Sequence, residues 1–372
     1  MDIESIRVGL KNRSYDILIG PQLIEQVGKI ISSFTKSRKI AVITDTHVEV
    51  LYFPVLRRSL IQYGFNVIPV VMKAGEDSKS FSMLEYIVNH LLMEKLERGD
   101  YIIALGGGVV GDLSGFAAAV IRRGIGLIQI PTSLLAQVDS SVGGKTGINT
   151  NYGKNLIGVF YQPKLVIVDT LVLDTLPLRE FRAGYAEVVK YGLIDQPNFF
   201  FWLEKEWKSV FAGGSKRVEA IACSCRFKAS FIEGDEYEIG RRALLNFGHT
   251  FGHALETVVG YNSGLLVHGE GVSIGMVLAC ELSARMELIS SDLVKRVRNH
   301  LQAVGLPTRM SEIPGIQLNA DALMDCIEQD KKRLRTQFNF ILIRGIGDVF
   351  LAENLLKEEV YAFIMEKVGE RH

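Results

Sequence analysis

The stretch Asn246-Phe247-Gly248-His249-Thr250-Phe251-Gly252-His253-Ala254-Leu255-Glu256 places two histidines four residues apart, and a third follows in His268-Gly269-Glu270-Gly271. On a helix that spacing puts His249 and His253 on one face. Imidazoles so arranged, joined by a carboxylate from another segment, suit Zn²⁺ or a similar divalent ion. The chain has only seven histidines, so three within twenty residues is a concentration. An HxxxH pair alone also fits packing or an ordinary surface; the third histidine and the flanking glycines favour metal.

A second chemistry is written in Gly106-Gly107-Gly108-Val109-Val110-Gly111-Asp112, which follows the apolar run Tyr101–Leu105 and opens a helical pattern. Glycines there let backbone approach a diphosphate, and a helix N-terminus offers it N–H groups and a positive dipole end. The spacing is not GxGxxG, and a tight strand-to-helix turn is the plain alternative. Asp112 suits the helix start or a nucleotide hydroxyl. Asp45, at the end of an earlier strand, suits ribose hydroxyls or a helix N-cap.

Anion-binding groups recur elsewhere. Residues 131–155 are dense in glycine, hydroxyls and amides and carry Lys145 and Lys154, which reads as a long functional or mobile loop. Gly143-Gly144-Lys145-Thr146 has the ending of a P-loop, but Asp139 stands where its first glycine belongs, so the P-loop reading fails. A lysine among glycines still suits a phosphate or carboxylate. Glu187 and Lys190 lie three apart on a helical pattern, as in a surface ion pair, although Val188, Val189 and Tyr191 argue against a fully solvated face. Lys228, Arg242, Asn246 and Asp330-Lys331-Lys332 extend the supply.

The elements that must position these groups fall into two halves. Strand patterns at Lys39–Thr44, Asn66–Met72, Tyr101–Leu105, Gly126–Pro131 and Leu165–Asp169 alternate with helical patterns at 21–34, 48–63, 80–96 and 110–121. Short apolar strands separated by helices predict a mostly parallel, Rossmann-like sheet, with ligands beyond its carboxyl ends. After Leu178 helical patterns dominate, at 179–193, 198–207, 216–234, 249–259, 268–287, 291–304, 320–332 and 352–368, with one short strand at 338–344. We expect an α/β domain over 1–178 that binds a nucleotide and a mainly helical domain over 179–372.

A length of 372 residues agrees with two domains, and 48% apolar with 23% charged residues describes a globular protein with a sizeable core. Forty-two basic residues balance forty-two acidic ones, which gives no bulk field for nucleic acid or an anionic membrane. The four cysteines are expected as reduced thiols. No signal-peptide pattern opens the sequence and no apolar run reaches membrane-spanning length, so a cytoplasmic location is expected.

Taken in order, the Gly106–Asp112 loop, the run from Arg123-Gly124 through Pro131-Thr132-Ser133 and Val138-Asp139-Ser140-Ser141 to Gly153-Lys154-Asn155, Glu187-Val188-Val189-Lys190, Arg242–Glu256, His268–Met276 and Asp330–Lys332 resemble the 3-dehydroquinate synthase family of sugar phosphate cyclases. No single motif is decisive; their order and spacing across nearly the whole chain make the set specific. The resemblance implies NAD, a divalent metal (zinc, with cobalt the alternative), a homodimer, and an active site in the cleft between the domains. It implies Glu187, His249 and His268 as metal ligands, which sets aside His249 and His253 as a ligand pair and turns His253 to the substrate for proton transfer. It places Lys145, Asn155, Lys190, Lys228, Arg242, Asn246 and Lys332 on the substrate, with Asp139 and Lys154 beside them and Arg123 reaching in from a neighbouring subunit. Asp45, Glu76, Lys79, Gly107, Gly108, Asp112, Thr132, Ser133 and Thr175 match nucleotide-binding positions, with Lys145 and Lys154 near enough to share in them. Departures are small: Ser230 stands where the family often has an acid, and Arg241 precedes the expected arginine.

The reaction so implied takes 3-deoxy-D-arabino-heptulosonate 7-phosphate to 3-dehydroquinate and phosphate by transient NAD-dependent oxidation, phosphate elimination, reduction and intramolecular aldol closure. Two rivals share the architecture: a cyclase making a valiolone or deoxy-inosose product, and a metal-dependent polyol dehydrogenase of glycerol dehydrogenase type. The set Lys228, Arg242, Asn246 and His253 favours the first reading, and a small neutral polyol would not need so many basic groups. A catalytically dead NAD-binding protein is disfavoured, because no ligand or acid/base position is lost.

Overall fold

A computed structural model describes residues 3–330 and 337–370. In chain order its elements are β1 (Glu4–Val8), β2 (Tyr15–Gly20), α1 (Val27–Ser32), β3 (Lys39–Asp45), α2 (Thr46–Gln62), β4 (Asn66–Met72), α3 (Phe81–Met93), β5 (Tyr101–Gly106), α4 (Gly108–Val120), β6 (Gly126–Pro131), β7 (Lys145–Thr150), β8 (Gly153–Phe160) and β9 (Leu165–Asp169). Then come α5 (Leu178–Asp195), α6 (Pro197–Ala212), α7 (Gly214–Gly234), α8 (His249–Val258), α9 (His268–Arg285), α10 (Ser291–Ala303), α11 (Ala320–Asp330), β10 (Gln337–Gly345), β11 (Asp348–Leu356) and α12 (Lys357–Gly369).

These elements make two compact units, residues 1–177 with 209–238, and 178–208 with 239–372. The first carries a seven-stranded sheet in the order β1-β2-β9-β6-β5-β3-β4, parallel throughout except for the β1–β2 pair. Its central strands are continuous apolar runs because they are covered on both faces. The chain runs outward from β3 to β4, then places β5 on the other side of β3, so a topological switch point lies between β3 and β5. Asp45, Gly107 and Thr132 sit just at or past the carboxyl ends of β3, β5 and β6. Helix α7, expected in the second domain, packs in this unit on β1 and β2.

Two expectations are corrected here. Residues 131–155 are not one loop: a π-helical turn spans Ala136–Ser140, and β7 pairs with β8 as an antiparallel hairpin. Glycine content hid those strands, yet the pairing needs it. A Cβ at Gly158 would lie 1.9 Å from the Thr146 carbonyl oxygen. The helix expected at 352–368 starts only at Lys357, because β11 occupies its first turn. A bulge between the Phe338–Leu355 and Phe340–Ala352 pairs sets the buried Ala352 and Leu355 three apart, a spacing that mimics a helix.

The second unit is mainly helical, with the β10–β11 hairpin on α9. All four cysteines are free thiols, and among the described residues no helix is long and apolar enough to cross a membrane.

Candidate active site

In the first unit, β5 delivers the chain through Gly107 into α4, whose first residues have no intrahelical acceptor for their N–H groups. A Cβ at Gly108 would crowd this approach, 3.1 Å from Ser140 Oγ, whereas one at Gly107 would make ordinary contact with Ser133 Oγ at 3.5 Å. Thr132 is tied back by its N–H to the Gly106 carbonyl at 3.0 Å, and Ser133 Oγ accepts from the Ala136 N–H at 3.2 Å. A backbone cradle rimmed with hydroxyls at a helix N-terminus fits the diphosphate of a dinucleotide.

Around it Lys79, Asp112, Asn155, Asn149 and Glu76 form one network. The buried Lys79 donates to Asp112 Oδ2 at 2.7 Å and to Asn155 Oδ1. Burial pushes the Asp112 carboxyl above its usual range, against the pull of Lys79. Asn149 binds Glu76 Oε1 through Nδ2 at 2.7 Å, donates its backbone N–H to Lys79 O, and accepts the Asn155 N–H on Oδ1 at 3.0 Å. It thereby steadies Asn155, which holds a left-handed φ of 57°. Asn149 was not singled out in the sequence; one amide in an amide-rich stretch gives no signal. Asp45 caps α2, accepting from the N–H groups of His47 and Val48 at 2.8 and 3.0 Å. Thr175 Oγ1 hydrogen-bonds Tyr52 OH and the Val172 carbonyl.

The same unit also positions several of the basic side chains singled out in the sequence. Lys228, nearly buried on α7, donates to Asp139 Oδ1 at 2.6 Å and to the Asp139 carbonyl. Lys145 at the start of β7 pairs with Glu238, and Lys154 is half-buried on β8. Arg123 is exposed at a turn where Arg122, Arg123 and Gly124 all have positive φ.

In the second unit, close glycine contacts bring three helices to one point. A Cβ at Gly269 would fall 2.0 Å from the Ala183 carbonyl oxygen, which sets the start of α9 on α5. Gly275 and Gly248 fit together just as closely, with 2.0 Å from a Cβ on the first to the carbonyl of the second, and Gly252 meets Gly271. Helix α8 therefore lies tight against α9. Glu187 from α5, His249 from α8 and His268 from α9 converge as a result, with donor atoms within 4.8 Å of one another. The Nε2 atoms of His249 and His268 stand 3.5 and 3.6 Å from the same oxygen, Glu187 Oε1.

That donor set fits a divalent ion. Zinc bonds of roughly 2.0–2.1 Å at tetrahedral angles require donors about 3.3–3.4 Å apart. Burial, reinforced by the Lys190 charge, holds His249 well below the ordinary imidazole value, so it offers a lone pair. Burial also disfavours charge on His268, but Glu187 and Glu256 outweigh it and push the ring up to about 10: in the metal-free protein this pocket wants a cation. Lys190, one turn from Glu187 and buried with it, forms an ion pair with that carboxylate. His253 is exposed, its ring centroid 5.3 Å from that of His249 and 6.1 Å from that of His268. Arg242 is buried and Asn246 half-buried in the turn that leads into α8. Lys331 and Lys332 lie outside the described residues.

The chain matches the family model for the 3-dehydroquinate synthase N-terminal region over residues 69–183 and the model for the C-terminal region over 184–333. It is 60% identical over 365 residues to a 3-dehydroquinate synthase of Rhizobium johnstonii, covering 98% of this chain and 97% of that one. Among solved structures it is similar to a 2-deoxy-scyllo-inosose synthase complexed with carbaglucose-6-phosphate, NAD+ and Co2+ (TM-score 0.87, 26% identity, 98% of this chain and 100% of that one). It is also similar to a 2-epi-5-epi-valiolone synthase of Streptomyces hygroscopicus with NAD+ and Zn2+ bound (TM-score 0.86, 25% identity, 96% and 98%). With two consecutive family models spanning most of its length and a relative of this identity over nearly all of it, the chain belongs to the 3-dehydroquinate synthase family.

Proposed function

We propose that this chain converts 3-deoxy-D-arabino-heptulosonate 7-phosphate into 3-dehydroquinate and phosphate, with NAD and a divalent metal as its cofactors. The observation that carries the reading is the convergence of Glu187, His249 and His268, with Lys190 one helical turn away, in a chain of this family. Zinc is the metal proposed, held by those three side chains, with cobalt the alternative. When bound, NAD takes up and returns the electron pair of the transient oxidation, and the metal supplies Lewis-acid polarisation of the reacting oxygen.

The chain's own groups do the rest. Lys145, Asn155, Lys190, Lys228, Arg242 and Lys332 hold the substrate's phosphate, carboxylate and hydroxyls through charge-assisted hydrogen bonds. Asp139, bonded to the Lys228 ammonium, aims it, and Lys154 adds positive charge nearby. Gripping both ends of a flexible seven-carbon chain keeps the carbons that must join close together, an effect worth about 7–11 kcal/mol in favourable cases. A ring nitrogen of the exposed His253 takes and returns the substrate's proton, with Asn246 in support. Asp45, Glu76, Lys79, Gly107, Gly108, Asp112, Thr132, Ser133 and Thr175 hold the nucleotide. The proposal includes a cytoplasmic homodimer in which Arg123 serves the neighbouring subunit's site.

The test is to incubate the full chain with the heptulosonate phosphate and follow phosphate and dehydroquinate together, with and without NAD, and after chelation and restoration with zinc or cobalt. Equimolar products, needing only catalytic NAD and lost on chelation, are expected. No turnover by folded, metal-loaded, NAD-supplied protein refutes the reading. Net accumulation of NADH with a polyol would identify a dehydrogenase instead.

A further inference from the structure

Glu256 stands seven residues after His249, two turns along the same face of α8, with a carboxyl group only 7% exposed. Its Oε2 lies 3.1 Å from His268 Nδ1. His268 has two ring nitrogens with different neighbours: Nδ1 meets Glu256, and Nε2 faces Glu187 Oε1. An imidazole that donates Nδ1–H to a carboxylate is fixed as the tautomer whose lone pair is on Nε2. His249 is arranged in the same way, its Nδ1 standing 3.3 Å from the Phe247 carbonyl oxygen while its Nε2 faces Glu187. One orienting oxygen belongs to the backbone. The other belongs to a side chain that can be replaced.

We propose that Glu256 is a positioning residue for the metal centre, fixing the tautomer and angle at which His268 presents Nε2 to the ion. The inference rests on Glu187, His249 and His268 being the ligands. A competing arrangement exists, since His253, Glu256 and His268 also bring donor atoms within 4.8 Å of one another. In that set Glu256 would be a ligand itself, and His268 would turn Nδ1 inward while its Nε2 stayed with Glu187. The shared orientation of the two Nε2 atoms on one Glu187 oxygen favours the positioning role.

Zinc affinity by chelator competition, and the visible spectrum of the Co²⁺-loaded protein, would be measured for the full chain and for Glu256→Ala, Glu256→Gln and Glu187→Ala. NAD titration and thermal unfolding would check that each variant is folded. Glu256→Ala is expected to bind metal about 10–100-fold more weakly while keeping the parent's Co²⁺ band positions. Glu256→Gln should fall nearer the parent, because its amide oxygen still accepts from Nδ1–H. If the alanine variant does not fold, Glu256→Leu, which removes the acceptor but keeps most of the bulk, takes its place in the test. Parent-like affinity in both Glu256 variants would overturn the proposal. So would a loss as complete as that of Glu187→Ala with an altered Co²⁺ spectrum, which would make Glu256 a ligand. Parent-like affinity in Glu187→Ala would instead remove the ligand assignment on which the inference stands.

Discussion

Gly269→Ala probes the proposed metal centre without touching a donor. The added methyl would sit 2.0 Å from the Ala183 carbonyl oxygen, where ordinary contact begins at about 3.4 Å, so about 1.4 Å must be found by moving the start of α9 off α5. His268 is the residue before it, and its Nε2 would leave Glu187 Oε1 from a starting separation of 3.6 Å. Metal–ligand distances tolerate only about ±0.2 Å, so a shift of this size removes His268 as a donor. Overpacking itself costs about 1–3 kcal/mol, a loss that leaves a folded protein to measure. The expectation is metal affinity lowered at least about 100-fold, with unfolding shifted by a few degrees. Neighbours grade the effect. Gly271, whose Cβ would meet the Gly252 carbonyl at 3.3 Å, should give a slight loss as alanine, and Gly345, with nothing within 4 Å, should give none. Chelator competition across the three variants is the assay. If Gly269→Ala binds zinc as tightly as Gly345→Ala, helix approach does not set the donor geometry and the reasoning fails.

Two further perturbations follow from buried charge. Lys190→Ala leaves the Glu187 carboxylate without its nearest cation in the core, a change that costs about 3–5 kcal/mol. A bound divalent ion replaces that charge, so denaturant unfolding should show a much larger loss without zinc than with saturating zinc; equal losses would contradict the pairing. His300, buried on α10 beside Tyr185, is lowered by burial to about 4. The unfolded chain takes up its proton near pH 6.5 while the fold does not. Stability is therefore full above that pH and falls as pH drops towards 4, by about 3 kcal/mol at most. His300→Gln should flatten this part of the stability profile, and an unchanged slope between pH 4 and 6.5 would rule the ring out as its source.

What could be read from the sequence follows from how local each signal is. The strands β3, β5, β6 and β9 announce themselves because burial on both faces demands mostly apolar residues. Strands β7 and β8 do not, because the glycines that permit their close pairing look like loop. In β11 a bulge sets the buried Ala352 and Leu355 three apart where a strand should show two. Assignment of α7 to the first unit depends on tertiary packing against β1 and β2, which no periodicity within α7 expresses.

The metal centre divides along the same line. Helical spacing makes His249 and His253 visible as a pair, but residues on one face of one helix can share an ion only if both rings turn to it. The structure turns Nε2 of His249 and of His268 to Glu187 instead, and leaves His253 exposed. The helix approach that brings that set together depends on residues that donate nothing. Gly269 and Gly275 let α5, α8 and α9 approach until carbonyl oxygens stand where side chains would be, and Gly248, Gly252 and Gly271 make further close contacts between them. In the sequence those glycines merely flank the histidines. Their function is three-dimensional, and substituting them is therefore as direct a test of the centre as substituting a ligand.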